Sequence, residues 1–273
     1  MTPQPDAGVE SFGITLSVLA PCYNEGRNVD FLVDRTLATF SAMNVEGELV
    51  LVDDGSQDDT WARIESRVDA DRRVRGIQHS SNGGMEAAWG TGLAAAHGRL
   101  VCLIDADLQN RPEDIARLLA AYTRSNHDLV QGVRLSPSTL TRHRLFSRGL
   151  NRLLNAAFGT SLRDNKSGFI LCRREVLQSI LEHRFTYKYF QSFLGVAACA
   201  HGFSVEEIDT LFEPRRAGCS FLPRFPLLPS IRIGLELLKF RFETCLIRRS
   251  IPSRGQRLWA STDFLSTRMP TQA

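Results

Sequence analysis

Two hydrophobic periods take turns along this chain. Ile14 to Ala20 is a short apolar run rich in β-branched residues, and it stops at Pro21, which a strand tolerates at its end. Over residues 28–43 the apolar positions Val29, Leu32, Val33, Leu37 and Phe40 recur at helical spacing. The exchange then repeats. A strand at Leu49–Val52 precedes a helix capped by Asp58 or Asp59, with Trp61, Ile64 and Val68 on one face. A strand at Val74–Gln78 precedes a helix carrying Met85, Ala88, Trp89, Gly92, Leu93 and Ala96, whose small residues let it lie close to a sheet. A third exchange runs from the apolar stretch Leu100–Ile104 through a helix at about Pro112–Tyr122 to a strand at Asp128–Val133. Strands alternating with helices at this spacing predict an α/β fold on a mostly parallel, doubly wound sheet.

In a parallel sheet the strand exits gather on one edge, where open α/β sheets bind ligands. The exits here are Pro21–Gly26, Asp53–Ser56, Ser81–Gly84 and Asp105–Gln109. Asp105, Asp107 and the Gln109 amide are hard oxygen donors, suited to a divalent cation that keeps some waters and also holds a phosphate-bearing substrate. Taken singly, Asp105–Gln109 also reads as an acidic turn before a helix start at Asn110–Asp114, and Asp53–Ser56 as an Asp-capped turn. Three acidic loops on one sheet edge fit a binding site better than three turns.

Composition narrows this little. At 273 residues, 43% hydrophobic and 23% charged, the chain has the make-up of a soluble globular protein with a sizeable core. No apolar run reaches about eighteen residues, the length of a membrane span. Residues 1–13 read as a loose tail rather than a signal peptide. Cys22, Cys102, Cys172, Cys199, Cys219 and Cys245 form no CxxC pair, so reduced packing cysteines in a cytoplasmic protein are expected and a zinc site is not. Charge is the exception. From Arg215 to Arg257 ten Lys/Arg stand against Glu236 and Glu243, a balance of +8, so with +3 overall the rest carries −5. A basic tail on an acidic body suits an anionic partner, either membrane headgroups or nucleic acid.

Five motifs then occur in order. Pro21-Cys22-Tyr23-Asn24-Glu25, Val52-Asp53-Asp54-Gly55-Ser56-Gln57-Asp58-Asp59-Thr60 and Asp105-Ala106-Asp107-Leu108-Gln109 resemble the family 2 inverting glycosyltransferases with the GT-A fold. The third motif, with Asp164-Asn165-Lys166-Ser167-Gly168-Phe169 and Glu213-Pro214-Arg215-Arg216-Ala217-Gly218-Cys219-Ser220, is similar to the polyprenol-phosphate sugar transferases. The resemblance implies that Pro21, Tyr23, Glu25, Leu51, Asp53, Asp105 and Ala106 bind a nucleotide-sugar. It implies that Asp105, Asp107 and Gln109 hold Mg²⁺ or Mn²⁺, that Arg134 and Arg215 act on phosphates, and that Arg142, Arg144, Ser147 and Arg148 grip the acceptor phosphate. A metal and guanidiniums suit such a site physically, because the leaving diphosphate builds negative charge. Two positions depart from the pattern: Ile170 stands where the family commonly has Arg, and Phe221 where it usually has Lys.

The acceptor follows from an absence. A sugar hydroxyl needs a general base, and Tyr187-Lys188-Tyr189-Phe190-Gln191-Ser192, where related enzymes place one, has no carboxylate. A lipid phosphate is already anionic and needs none. Asp164 is the base candidate should one be needed, and a glycan or other hydroxyl acceptor is the alternative. A nucleotidyltransferase would carry a Gly-rich, Arg-containing loop after the first strand, and this chain does not. Residues 230–249 suit a five-turn helix on which Arg232, Glu236, Lys239 and Glu243 separate two apolar stripes, Ile231, Leu235, Leu238, Phe242 and Leu246 from Ile233, Leu237, Phe240 and Ile247. One stripe is expected to pack on the body. The other can face a bilayer, a second copy, a membrane partner subunit or more core. The expected organisation is thus a tail at 1–13, a GT-A domain at 14–225, a basic amphipathic helix at 226–250 and a tail at 251–273. Its expected place is peripheral, on the cytoplasmic face of a membrane, with no role in nucleic-acid binding.

Overall fold

The computed structural model describes residues 15–135, 141–165, 167–183, 187, 189–216 and 234–244. Its elements are β1 (Leu16–Cys22), α1 (Gly26–Met43), β2 (Gly47–Asp53), α2 (Thr60–Ala70), β3 (Val74–Gln78), α3 (Met85–Ala95), β4 (Leu100–Leu103), α4 (Ile115–Arg124), β5 (Leu129–Leu135), α5 (Thr141–Phe158), β6 (Ile170–Arg173), α6 (Arg174–Leu181), α7 (Leu194–Ala200) and β7 (Val205–Leu211). Residues 234–244 are also helical. The seven strands form one sheet in the order β3-β2-β1-β4-β6-β5-β7. All neighbours are parallel except at β6, which runs antiparallel to both β4 and β5. This is the predicted mostly parallel α/β sheet with one strand reversed.

Strand alternation divides the core. Leu49 and Leu51 of β2 face the layer of α1, α2 and α4, while Val50 and Val52 face α3, α6 and α7. Pro21 belongs to β1 instead of following it, paired with Val52. This is tolerated because β4 pairs with β1 only as far as Leu19, so no ladder bond is lost on that side for want of a proline N–H. The reversal of β6 matters most for function. Its entry loop, not its exit, lies at the carboxyl edge, and this brings the segment Asp164–Phe169 to the same edge as the ends of β1, β2, β4 and β5.

Helix 234–244 packs through one stripe. Leu237 and Phe240 are buried, and the Phe240 ring lies 5.4–6.1 Å from those of Phe158, Tyr187, Phe190 and Phe193. The polar line between the stripes is also tied down: Tyr187 OH donates to Glu243 Oε2 at 2.5 Å and the Tyr189 N–H to Glu236 Oε2 at 2.9 Å. The opposite stripe, Leu235, Leu238 and Phe242, is 62–69% exposed. Both stripes expected from the sequence are therefore real over this stretch, one buried and one open. No helix among the described residues is long and apolar enough to cross a membrane. The expected domain limits near 14, 225 and 250 lie outside the described residues, as does Phe221.

Candidate active site

The corner after β4 is built by one strained residue. Leu108 has φ 61°, a left-handed conformation that costs a branched side chain energy. Its burial at 2% exposure holds it there. The turn lets Asp107 Oδ1 accept the Gln109 N–H at 3.0 Å, and Asn110 Nδ2 donates to Asp105 Oδ2 at 3.4 Å. Burial, and then the charge of Asp107, push the Asp105 carboxyl up to about 6, against the pull of Arg134 and Arg215. Glu25, at the start of α1, is raised too, chiefly by burial, although Asn28 Nδ2 donates to it at 2.5 Å.

Two arginines answer these carboxylates. Arg134, near the end of β5, grips Asp164 with both prongs, Nε to Oδ2 at 2.7 Å and Nη2 to Oδ1 at 2.8 Å. Arg215, beyond β7, donates Nη2 to Asp107 Oδ2 at 2.7 Å. Glu25, Asp105, Asp107 and Asp164 against two guanidiniums leave two negative charges uncompensated, which matches one divalent cation. Among the described residues no group of three or more His, Cys, Asp or Glu could hold a metal ion by itself. Two carboxylates with the remaining positions left to water and phosphate is the shell Mg²⁺ and Mn²⁺ accept. The donor set therefore fits, with Arg215 standing in as the cation on Asp107.

Beside this corner lies a cleft of about 640 Å³ lined by Tyr23, Ser56, Gln57, Gln78 and His79, among others. Asp53, fully buried, supports two of the lining residues from behind, accepting from the Ser56 N–H at 3.1 Å and Gln78 Nε2 at 3.2 Å. Its neighbour Asp54 is buried and holds the loop after β3, accepting the Gly83 and Gly84 N–H groups at 2.8 Å each. His79 bridges Asp54 (2.8 Å) and Thr91 (2.9 Å). Asn24, at φ 55°, ties the first two exits together: its N–H reaches Ser56 Oγ at 2.9 Å and its Oδ1 accepts the Gln57 N–H at 2.8 Å.

Comparison with known proteins identifies the family. The model for glycosyl transferase family 2 matches residues 17–181. The chain belongs to glycosyl transferase family 2. The undecaprenyl-phosphate 4-deoxy-4-formamido-L-arabinose transferase of Pectobacterium atrosepticum is 30% identical over 233 residues, 85% of this chain and 67% of that protein. The transferase of the same name from Shewanella sediminis is 33% identical over 228 residues, 82% and 65%. The chain thus spans about two thirds of the length of these relatives. Glucosyl-3-phosphoglycerate synthase from Mycobacterium tuberculosis, crystallised with Mg²⁺ and uridine diphosphate, shares the GT-A fold at TM-score 0.58 and 21% identity, covering 89% of this chain and 82% of that one. A second structure of that synthase, with Mn²⁺, uridine diphosphate and glucosyl-3-phosphoglycerate, superposes at TM-score 0.57 and 22% identity, covering 89% and 82%.

In this glycosyltransferase Asp105, Asp107, Glu25, Arg134, Arg215 and Asp164 come together, and Tyr23 lines the cleft while Asp53 is buried behind it. The other candidates take these places in the fold. Leu51, two residues before Asp53, is wholly buried, and the Ala106 methyl is buried in the core. Pro21 is a strand residue. Gln109 turns its amide nitrogen to the Glu213 carbonyl at 3.4 Å. Asp164, the base candidate, spends both oxygens on Arg134, a poor arrangement for taking a proton from an acceptor. Ile170 opens β6 and is fully buried, so an arginine there would enter the core. Arg142, Arg144, Ser147 and Arg148 fall on α5, and their side chains lie outside the described residues. The sequence reading missed Gln78 and His79 as cleft builders, and had Asp54 only as part of the exit Asp53–Ser56. The signal for His79 was its place one residue past β3, level with the other exits.

Proposed function

We propose that this glycosyltransferase moves a sugar from a nucleotide-diphosphate sugar to a polyprenyl phosphate, with Mg²⁺ or Mn²⁺ bound at Asp105 and Asp107. The observation that carries the reading is the Asp105–Asp107 pair flanked by Arg134 and Arg215 beside a nucleotide-sized cleft. The bound metal would serve as a Lewis acid on the departing diphosphate. Tyr23 and Asp53 would seat the nucleoside, and Arg134, held in place by Asp164, would offset charge growing on the phosphates. With Asp164 so engaged, an acceptor that brings its own negative charge suits the site. The names of the Pectobacterium and Shewanella relatives point to the same acceptor.

Membrane contact belongs to this reading. Leu235, Leu238 and Phe242, with the exposed Lys239 and Arg241, make an apolar and basic face suited to lying at the surface of an anionic bilayer. The protein would then work at the cytoplasmic face, where a lipid phosphate is presented.

The test is a transfer assay with a panel of labelled nucleotide-sugars, undecaprenyl phosphate and Mn²⁺. Label is expected in the organic phase, lost with EDTA and restored by Mn²⁺. Label passing only to a soluble saccharide would replace the lipid acceptor with a hydroxyl one.

A further inference from the structure

Arg215 reaches the site from a segment pinned along its length. Asn110 and Phe212 form an isolated antiparallel bridge, the Glu213 N–H donates to the Gln109 carbonyl at 2.8 Å, and Asp114 Oδ2 accepts the Leu211 N–H at 3.2 Å. The Glu213 carboxylate lies 3.8 Å from Arg35 and 3.5 Å from Arg111, and Arg35 is itself paired with Glu113 at 2.6 Å. Arg216 stacks on Phe31, its guanidinium carbon 3.5 Å from the ring centroid. From this fixed base the Arg215 side chain crosses to Asp107.

The oxygen it holds is the informative detail. Asp107 Oδ1 is committed to the turn through the Gln109 N–H, and Arg215 Nη2 takes Oδ2 at 2.7 Å. A divalent cation on Asp107 competes with the guanidinium for this carboxylate, because two positive charges close together repel. Resting on the functional reading above, we infer that Arg215 is an exchangeable placeholder at the metal site. It occupies Asp107 Oδ2 while the metal is away, and metal binding releases it to the diphosphate. A metal arriving alone must weaken that ion pair, leaving Arg215 to the more distant charges of Asp105 and Glu25. A metal arriving with a nucleotide diphosphate supplies Arg215 with a new one. The exchange adds to the coupling that direct metal–phosphate contact gives, and by linkage metal and donor each tighten the other by the same factor.

The experiment is Mn²⁺ binding to the full chain, followed by the electron paramagnetic resonance of free Mn²⁺, with and without uridine diphosphate. Arg215→Gln is expected to bind Mn²⁺ alone about tenfold more tightly than wild type, and to show a smaller tightening by uridine diphosphate than wild type does. Arg216→Gln removes the same charge one residue along and is expected to change Mn²⁺ binding by less than about twofold. Nuclear magnetic resonance of the arginine side chains checks the exchange in the unaltered protein. The signal missing from Arg215→Gln should move on Mg²⁺ addition, with the midpoint of metal binding. Equal or weaker Mn²⁺ binding by Arg215→Gln would overturn the inference, and so would an equal gain in Arg216→Gln, since charge alone would then explain it. Both would leave the functional reading standing. A wild-type protein that binds neither Mn²⁺ nor uridine diphosphate, together or apart, would remove the functional reading and this inference with it.

Discussion

Arg134 and Asp164 face each other as a two-pronged ion pair across the gap between the end of β5 and the entry to β6, at 2.7 and 2.8 Å. This geometry assigns Asp164 the work of orienting an arginine. Asp164→Asn keeps one acceptor oxygen and is expected to lower kcat about tenfold, with an unchanged pH profile. A general base would behave differently, with a loss of about 10²–10⁴ and the acidic limb removed from the profile. Steady-state kinetics from pH 6 to pH 9 separates the two.

Asp105 is held at a cost to the fold. Its carboxyl is raised to about 6 in the metal-free protein, above the 3.8 of an unperturbed aspartate, so the folded state resists its ionisation. That penalty is fully present above pH 6 and gone below the unfolded value. Asp105→Asn should therefore stabilise the metal-free protein by about 2–3 kcal/mol at pH 7.5, while abolishing transfer. Urea unfolding in EDTA should show the gain shrinking as pH falls from 6 towards 4. A destabilised Asp105→Asn at pH 7.5 would mean the carboxylate is better compensated than its surroundings suggest.

The opposite edge of the sheet carries a carboxylate with the reverse sign. Buried Glu48 accepts from Ser17 Oγ at 2.6 Å and from the His97 N–H at 2.5 Å, with His97 Nδ1 3.1 Å away. Burial alone would raise its pKa, but the bonds from Ser17 and His97 outweigh it and hold the group below its ordinary 4.5. This stability is present above the unfolded pKa and is lost as pH falls through the depressed folded value. Glu48→Gln should cost about 1–3 kcal/mol at pH 7. In urea titrations its difference from wild type should close below about pH 4.5.

Legibility in the sequence tracked the range of the interaction. The Asp105–Asp107 corner was visible because a local apolar run stops at it, and the first three strand exits because their strands are short and strongly patterned. β7 was not, since Glu206, Glu207 and Asp209 interrupt any apolar alternation on this edge strand. The part Asp164 plays could not be read without the reversal of β6, a matter of topology. His79 meets Asp54 from 25 residues away across β2 and β3, and no local pattern marks the histidine.

Helix 234–244 allows its two stripes to be tested against each other. Phe240 is wholly buried among four other rings, so Phe240→Ala should cost about 3–5 kcal/mol by removing transfer energy and leaving a cavity. The combined change Leu235→Ser, Leu238→Ser and Phe242→Ser touches the 62–69% exposed stripe and should leave unfolding within about 0.5 kcal/mol per site of wild type. Its effect should appear in co-sedimentation with vesicles containing anionic lipid, where binding is expected to fall sharply. Raising salt should weaken the wild type in the same assay, because Lys239 and Arg241 act through a screened field. If the triple variant instead unfolds early and binds vesicles as wild type does, the open stripe is core for some other part of the protein, and the bilayer contact lies elsewhere.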